Sequence, residues 1–218
     1  MELGIFGGTF HPVHLGHLRA AEEVREALGL GRVLFVPAKL PPHKDARAVA
    51  PPEVRLDLVR RAVEGNPAFG VSDLELRREG PSYSVDTLRE IRAGLAPGDR
   101  LWFLVGSDAF REIHTWHRYP ELFALADLAV MRRPPQAAPP QPPPALAAEF
   151  SPVPGGLRHR SGRQVCFVPV TLLDVSATAI RRALVEGRSV RYLVPEAVRG
   201  ELERLGRTHP HWFSGSRT

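Results

Sequence analysis

Short apolar runs alternate with stretches of helical periodicity along almost the whole chain, and this alternation restricts the fold more than any other feature. Residues 2 to 6 read as a strand, and residues 15 to 28 as a helix with Leu15, Leu18, Ala21, Val24 and Leu28 on one side. Arg32 to Val36 reads as a strand, 53 to 64 as a helix, 69 to 76 as a strand, and Ser84 as the N-cap of a helix carrying Val85, Leu88 and Ile91. Leu101 to Val105 is a strand, Pro120 suits the first turn of a short helix, and 127 to 131 and Gln164 to Val168 are strands. Ser176 begins a helix running from Ala177 to Glu186, and Pro195 opens a last one to Leu205. Such alternation predicts an α/β fold: a Rossmann-like, doubly wound parallel sheet with helices on both faces and a small C-terminal helical portion.

The length, 218 residues, suits one domain over 1–206, with 134–163 as a proline-rich surface loop, 176–206 as the helical portion and 207–218 as a flexible tail. The segment PPQAAPPQPPP at 134–144 cannot join a sheet, and 151–163 also reads as loop. Cys166 is the only cysteine, so an intramolecular disulfide is excluded. With no apolar run of spanning length and no leader-like start, the expectation is a cytoplasmic protein without a membrane partner. The net charge of +5 first suggests nucleic acid, yet the arginines are dispersed with little aromatic interleaving. A modest positive field suits small anionic substrates, and no nucleic-acid partner is expected. Self-association is left open.

In open sheets of this kind, ligands bind beyond the carboxyl ends of the strands. Four chemistry-bearing stretches fall there: Gly7 to His17, Pro37 to Lys44, Gly106 to Asp108, and Asp174 to Arg181. The first reads Gly7-Gly8-Thr9-Phe10-His11-Pro12-Val13-His14-Leu15-Gly16-His17. A strand, a glycine turn and a helix start make a phosphate site, because N–H groups and the helix dipole favour an anion. His14 and His17 share a face of the first helical turn, and Gly16 leaves room for a ligand near the backbone. The loop is neither G-x-G-x-x-G nor the Walker sequence, which argues against hydride transfer and P-loop hydrolysis. In the fourth stretch Ser176 caps a helix, so that its N–H groups, the Thr178 hydroxyl and the Arg181 guanidinium face one anion. Zinc at His11, His14 and His17 is an alternative, but no cysteine or H-E-x-x-H accompanies them.

Gly7-Gly8-Thr9-Phe10-x-Pro12-x-His14-x-Gly16-His17 with Ser176-x-Thr178-x-x-Arg181 resembles the nucleotidyltransferase superfamily carrying the HxGH and SxTxxR signatures. The likeness extends to bacterial nicotinate-nucleotide adenylyltransferases through Pro41-Pro42-His43-Lys44, Arg55, Pro81-Ser82-Tyr83-Ser84-Val85-Asp86-Thr87, Gly106-Ser107-Asp108, Trp116, Arg132-Arg133-Pro134 and Leu193-Val194-Pro195. It covers most of the chain. One departure is His11, where many relatives have Asp or Asn, and His11 is not expected to be essential.

The resemblance implies transfer of AMP from ATP to nicotinate mononucleotide, giving deamido-NAD and pyrophosphate, with no covalent intermediate. It implies His14, His17 and Arg181 as catalytic residues. Gly7, Gly8, Thr9, Phe10, Gly106, Asp108, Ser176, Thr178 and Arg181 would bind ATP. Lys44, Tyr83, Thr87, Trp116 and Arg133 would bind the mononucleotide, and Mg²⁺ would arrive with ATP. From residue type alone, Trp116 is equally a half-buried core aromatic, Lys44 a solvated loop lysine, and Tyr83 and Thr87 ordinary helix-start residues. Arg132 and Arg133 offer a phosphate contact, or one of them is plain surface charge. Another adenylyl- or cytidylyltransferase, acting for instance on pantetheine phosphate, and a non-catalytic nucleotide-binding module are the competing readings.

Overall fold

The computed structural model describes residues 1–40, 49–132 and 141–214. Its strands are β1 (Glu2–Gly8), β2 (Arg32–Pro37), β3 (Phe69–Val71), β4 (Arg100–Gly106), β5 (Asp127–Arg132), β6 (Phe150–Val153), β7 (Gly156–His159) and β8 (Gln164–Pro169). Its helices are α1 (Leu15–Leu28), α2 (Pro52–Val63), α3 (Leu74–Arg77), α4 (Ser84–Ala93), α5 (Ser107–Arg111), α6 (Tyr119–Leu125), α7 (Ala177–Val185) and α8 (Glu196–Thr208). The strand order is β3-β2-β1-β4-β5-β8-β7-β6. Parallel pairing links β1 to β4, β4 to β5 and β5 to β8, as the alternation predicts. The order reverses direction between β1 and β4, the switch point at which such sheets place ligands. Gly7 and Gly106 lie at the carboxyl ends of those two strands.

The chain divides into two compact units. The first comprises Met1–Gly7, Arg19–Leu34 and Tyr83–Leu172. Its core is the continuous apolar run of β4 and β5, in which Leu101, Leu104, Leu128 and Val130 are buried. A strand with both faces covered loses the in–out alternation of a half-solvated one, which is why these runs read as unbroken apolar stretches. Asp127 opens β5 buried, accepting from the Arg100 guanidinium at 3.0 Å and the Gln164 N–H at 2.8 Å.

The second unit comprises Gly8–Leu18, Phe35–Ser82 and Leu173–Thr218. Val13, Phe35, Leu58, Val59, Ile180, Val198 and Leu202 are buried in it. In α8 the apolar Val198, Leu202 and Leu205 recur at helical spacing and are buried, while Glu196, Arg199 and Glu203 pair along the exposed side.

The structure corrects four expectations. The strand read at 69 to 76 stops at Val71 and gives way to α3, because the Ser72 hydroxyl accepts the Leu74 N–H and the Asp73 carbonyl accepts that of Leu76. Ser84 is the first residue of α4 rather than its cap; Tyr83 takes the cap position, its carbonyl accepting from Asp86 and Thr87. The surface loop expected over 134–163 contains an antiparallel hairpin, β6 with β7, extending the sheet through β8. Pro154-Gly155 turns it, with Gly155 at a φ of 79° that glycine adopts without strain.

His159 anchors that hairpin. Its Nδ1 accepts the Ser161 N–H, which leaves Nε2 to donate to Glu149 at 3.0 Å, and its ring stacks on Phe123. The fourth correction concerns the tail. Residues 210–212 form a 3₁₀ turn, and Phe213 is only 3% exposed. Aromatic rings at Trp212 and Phe213 give this segment apolar area to bury, which the hydrophilic run before them conceals. Among the described residues, no helix is long and apolar enough to cross a membrane.

Candidate active site

Backbone packing shapes the turn that leaves β1. Phe10 turns inward, 3% exposed, with a φ of 46°, and packs on Phe35 at 5.7 Å. Its ring closes over Gly8, where a Cβ would lie 3.2 Å from it. Main-chain bonds hold the turn further: the Ala38 N–H donates to the Gly8 carbonyl, and the Leu15 N–H to that of Leu193. The peptide between His11 and Pro12 is cis.

His14 and His17 stack on one another with centroids 3.7 Å apart and planes 27° from parallel. The His14 main-chain N–H donates to Nδ1 of His17 at 3.3 Å. An accepting Nδ1 carries no proton, so the neutral His17 ring holds its hydrogen on Nε2 and presents it as a donor. The edge of Phe10 braces the same ring at 5.2 Å. Gly16 works differently from the expectation. A Cβ there would sit 3.1 Å from Nδ1 of His14 and 3.7 Å from the Val175 carbonyl, so the missing side chain makes room for the imidazole and the neighbouring chain.

Val175 leads into the second motif. Ser176 caps α7, its hydroxyl accepting the Ala179 N–H at 3.1 Å. Arg181, one turn on, donates from Nη2 to the Thr178 hydroxyl at 3.1 Å and from Nη1 to the His11 carbonyl at 2.8 Å. Burial pulls its pKa below the ordinary arginine value. The two motifs, separated by most of the chain, are therefore neighbours in one compact unit. Three histidines at 11, 14 and 17 do not converge as a metal cage would require: His14 and His17 lie face to face, and the His11 ring is turned onto Phe213. Among the described residues, no group of three or more His, Cys, Asp or Glu gathers to hold a metal.

Sequence reasoning left Arg55 out of the site. It is 1% exposed and donates from Nε to the Ala50 carbonyl at 2.9 Å, from Nη1 to Thr9 at 2.8 Å and from Nη2 to Lys39 at 3.2 Å. One guanidinium thus ties the loop after β1 to the loop after β2. Burial pushes its pKa down to about 10, against the opposing charges of Glu53 and Glu75. Ser82 secures Lys39 from another side, its hydroxyl accepting the Lys39 N–H at 2.9 Å. The available signal was an arginine among Leu56, Leu58 and Val59 at the start of a helix, beside a proline-rich loop.

Other expected site residues belong to the first unit. Gly106 ends β4 and precedes α5, where Asp108 is exposed and paired with Arg111. The Tyr83 ring stacks on His117 at 4.1 Å. Thr87 is buried and its hydroxyl donates to the Tyr83 carbonyl at 3.4 Å. Trp116, half-buried, meets Phe103 edge-on at 6.1 Å, and Arg132 ends β5. Lys44 and Arg133 lie outside the described residues.

A strand–turn–helix carrying paired imidazoles, with a capped helix presenting an arginine beside it, defines a nucleotidyltransferase. Consistent with this, residues 5–183 match the family model described as cytidylyltransferase-like. The chain is 46% identical over 214 residues to a protein of Trichlorobacter lovleyi named "Probable nicotinate-nucleotide adenylyltransferase", spanning 96% of this chain and 100% of that one. It is 48% identical over 209 residues to a protein of Halorhodospira halophila with the same name, spanning 94% of each. In fold it is similar to the Plasmodium falciparum nicotinic acid mononucleotide adenylyltransferase complexed with NaAD, with a TM-score of 0.69 at 14% identity, covering 94% of this chain and 96% of that one. The chain belongs to the cytidylyltransferase-like family, and within it to the nicotinate-nucleotide adenylyltransferases.

Proposed function

We propose that the protein transfers AMP from ATP to nicotinate mononucleotide. A phosphate oxygen of the mononucleotide attacks the α-phosphorus, the bond from that phosphorus to the bridging oxygen of the β-phosphate breaks, and pyrophosphate leaves with the electron pair. The observation that carries this reading is the 2.8 Å bond from Arg181 to the His11 carbonyl, which gathers the two motifs into one cluster of phosphate-binding groups.

The attacking oxygen is already ionised near neutral pH, so the chain needs no strong base. Positioning and charge stabilisation carry the acceleration. His17, donating from Nε2, and His14 meet phosphate oxygens at the reacting end of ATP. Arg181, Thr178 and the N–H groups behind the Ser176 cap hold the β- and γ-phosphates. An arginine has more N–H groups than its contacts with His11 and Thr178 use, so it serves a phosphate without releasing them. Tyr83, Thr87 and Trp116 are assigned to the mononucleotide, and Gly106 and Asp108 to the adenosine side. Magnesium is a hard cation that prefers oxygen, and the cluster offers imidazole and guanidinium nitrogens. Such a donor set fits Mg²⁺ carried on the triphosphate, bound by phosphate oxygens and water.

The test is incubation with ATP, Mg²⁺ and either nicotinate or nicotinamide mononucleotide, following pyrophosphate, with phosphopantetheine as a third acceptor. Release with nicotinate mononucleotide is the expected result. Release with phosphopantetheine alone, or with none of the three, overturns the reading.

A further inference from the structure

The end of the chain is built against the phosphate loop. After α8 the main chain turns through 210–212, and the His209 ring stacks on Trp212 at 4.1 Å. Phe213 then lies nearly flat on the His11 ring, with centroids 5.4 Å apart and planes 14° from parallel. Nε2 of His11 lies 2.8 Å from the Trp212 carbonyl. A carbonyl only accepts, so the His11 proton sits on Nε2 and the ring's orientation is fixed at its face and at one nitrogen. The main-chain carbonyl of that same residue receives Nη1 of Arg181. A path of direct contacts therefore runs from Phe213 and Trp212 through His11 to the guanidinium. Phe213 and Ser214 also line, with Thr178, Arg181 and Arg182, a cavity of about 310 Å³.

We propose that the C-terminal segment 209–214 is a positioning clamp for Arg181. By fixing His11, it aims the guanidinium at the polyphosphate end of ATP and of the departing pyrophosphate. Phe213 and His11 are positioning residues, since they act through Arg181. The inference rests on the reading of this cluster as the triphosphate site. It explains how a chain with histidine at position 11 keeps the loop ordered: the imidazole supplies both a flat face and an N–H, and the tail answers each.

The experiment compares the full-length protein with Phe213→Ala, Phe213→Trp and Phe213→Leu, measuring both KM values, kcat, melting temperature and calorimetric affinity for inorganic pyrophosphate. Phe213→Ala is expected to raise KM for ATP and weaken pyrophosphate roughly ten-fold, the scale seen when a supporting contact behind a ligand-binding group is lost. KM for nicotinate mononucleotide should stay within about two-fold. Phe213→Trp, which keeps a flat ring, should recover most of the loss. If Phe213→Ala fails to fold, Phe213→Leu, which keeps the bulk but no flat ring, makes the same comparison. A lowered melting temperature with unchanged KM for ATP and unchanged pyrophosphate affinity overturns the clamp, as does failure of the tryptophan to recover. Unmodified protein that binds neither ATP nor pyrophosphate overturns the triphosphate reading itself, so the two failures are distinguishable.

Discussion

The main-chain N–H of His14 points at Nδ1 of His17, 3.3 Å away, and so leaves the hydrogen of the neutral His17 ring on Nε2. A donor set in place before substrate arrives costs no reorganisation when charge develops on the phosphates. His17→Ala should therefore lower kcat by about 10²–10³-fold while weakening ATP binding far less, the pattern of a contact strengthened in the transition state. Equal losses in kcat and in ATP affinity, measured by single-turnover kinetics and calorimetry, would show that His17 only holds substrate.

Gly16 supplies a second prediction. The methyl of Gly16→Ala would lie 3.1 Å from Nδ1 of His14, so the imidazole must shift by a few tenths of an ångström and disturb its stack with His17. The expected outcome is a folded protein with kcat reduced roughly ten-fold, because small misplacements of a positioned group are costly. A kcat equal to that of the unaltered protein would mean that the stacked pair tolerates displacement.

The Arg55 guanidinium serves backbone carbonyls at Thr9, Lys39 and Ala50. Arg55→Met leaves those carbonyls without their donors, at a cost of about 1–3 kcal/mol for each buried group left unsatisfied. The melting temperature should drop sharply. Arg55→Lys, a point charge without the fork, should recover only part of it. Denaturant unfolding of the two variants decides this: full recovery by lysine would show that charge, not the three-way geometry, is what the site needs.

Much of this was legible in the residues. The central strands β4 and β5 are apolar without interruption, and α1 and α7 carry clear helical spacing, so the parallel sheet and the two motifs followed directly. What failed were elements decided by tertiary partners. The hairpin at 150–159 looked like loop because two prolines, two glycines and a histidine dominate it, and its stability comes from Phe123, Glu149 and Ser161. The tail read as frayed because Phe213 gains its partner, His11, from the far end of the chain. Arg55 was invisible as a loop tie because its acceptors are backbone carbonyls, which no side-chain pattern announces. Gly16 was assigned a ligand's space when the space belongs to His14.

The hairpin makes the last prediction, and it separates stability from chemistry. His159 is 4% exposed, donates a hydrogen bond to Glu149, accepts one from the Ser161 N–H and stacks on Phe123 at 4.4 Å. Its surroundings have the look of a Ser–His–Glu relay, but the Ser161 hydroxyl donates to the Phe123 carbonyl at 2.5 Å and Nδ1 is occupied by a main-chain N–H. No nucleophile is being activated, so the cluster is structural. His159→Ala removes a buried ring and takes the acceptor from the Ser161 N–H, while Glu149 keeps Arg160 at 3.3 Å, a loss of about 2–4 kcal/mol. At a temperature where the variant remains folded, KM for ATP and for the mononucleotide should match the unaltered protein. His159→Phe keeps the stack on Phe123 but not the polar bonds and should fall between the two in denaturant unfolding. A variant of unchanged stability but lost turnover would instead place this cluster in the chemistry.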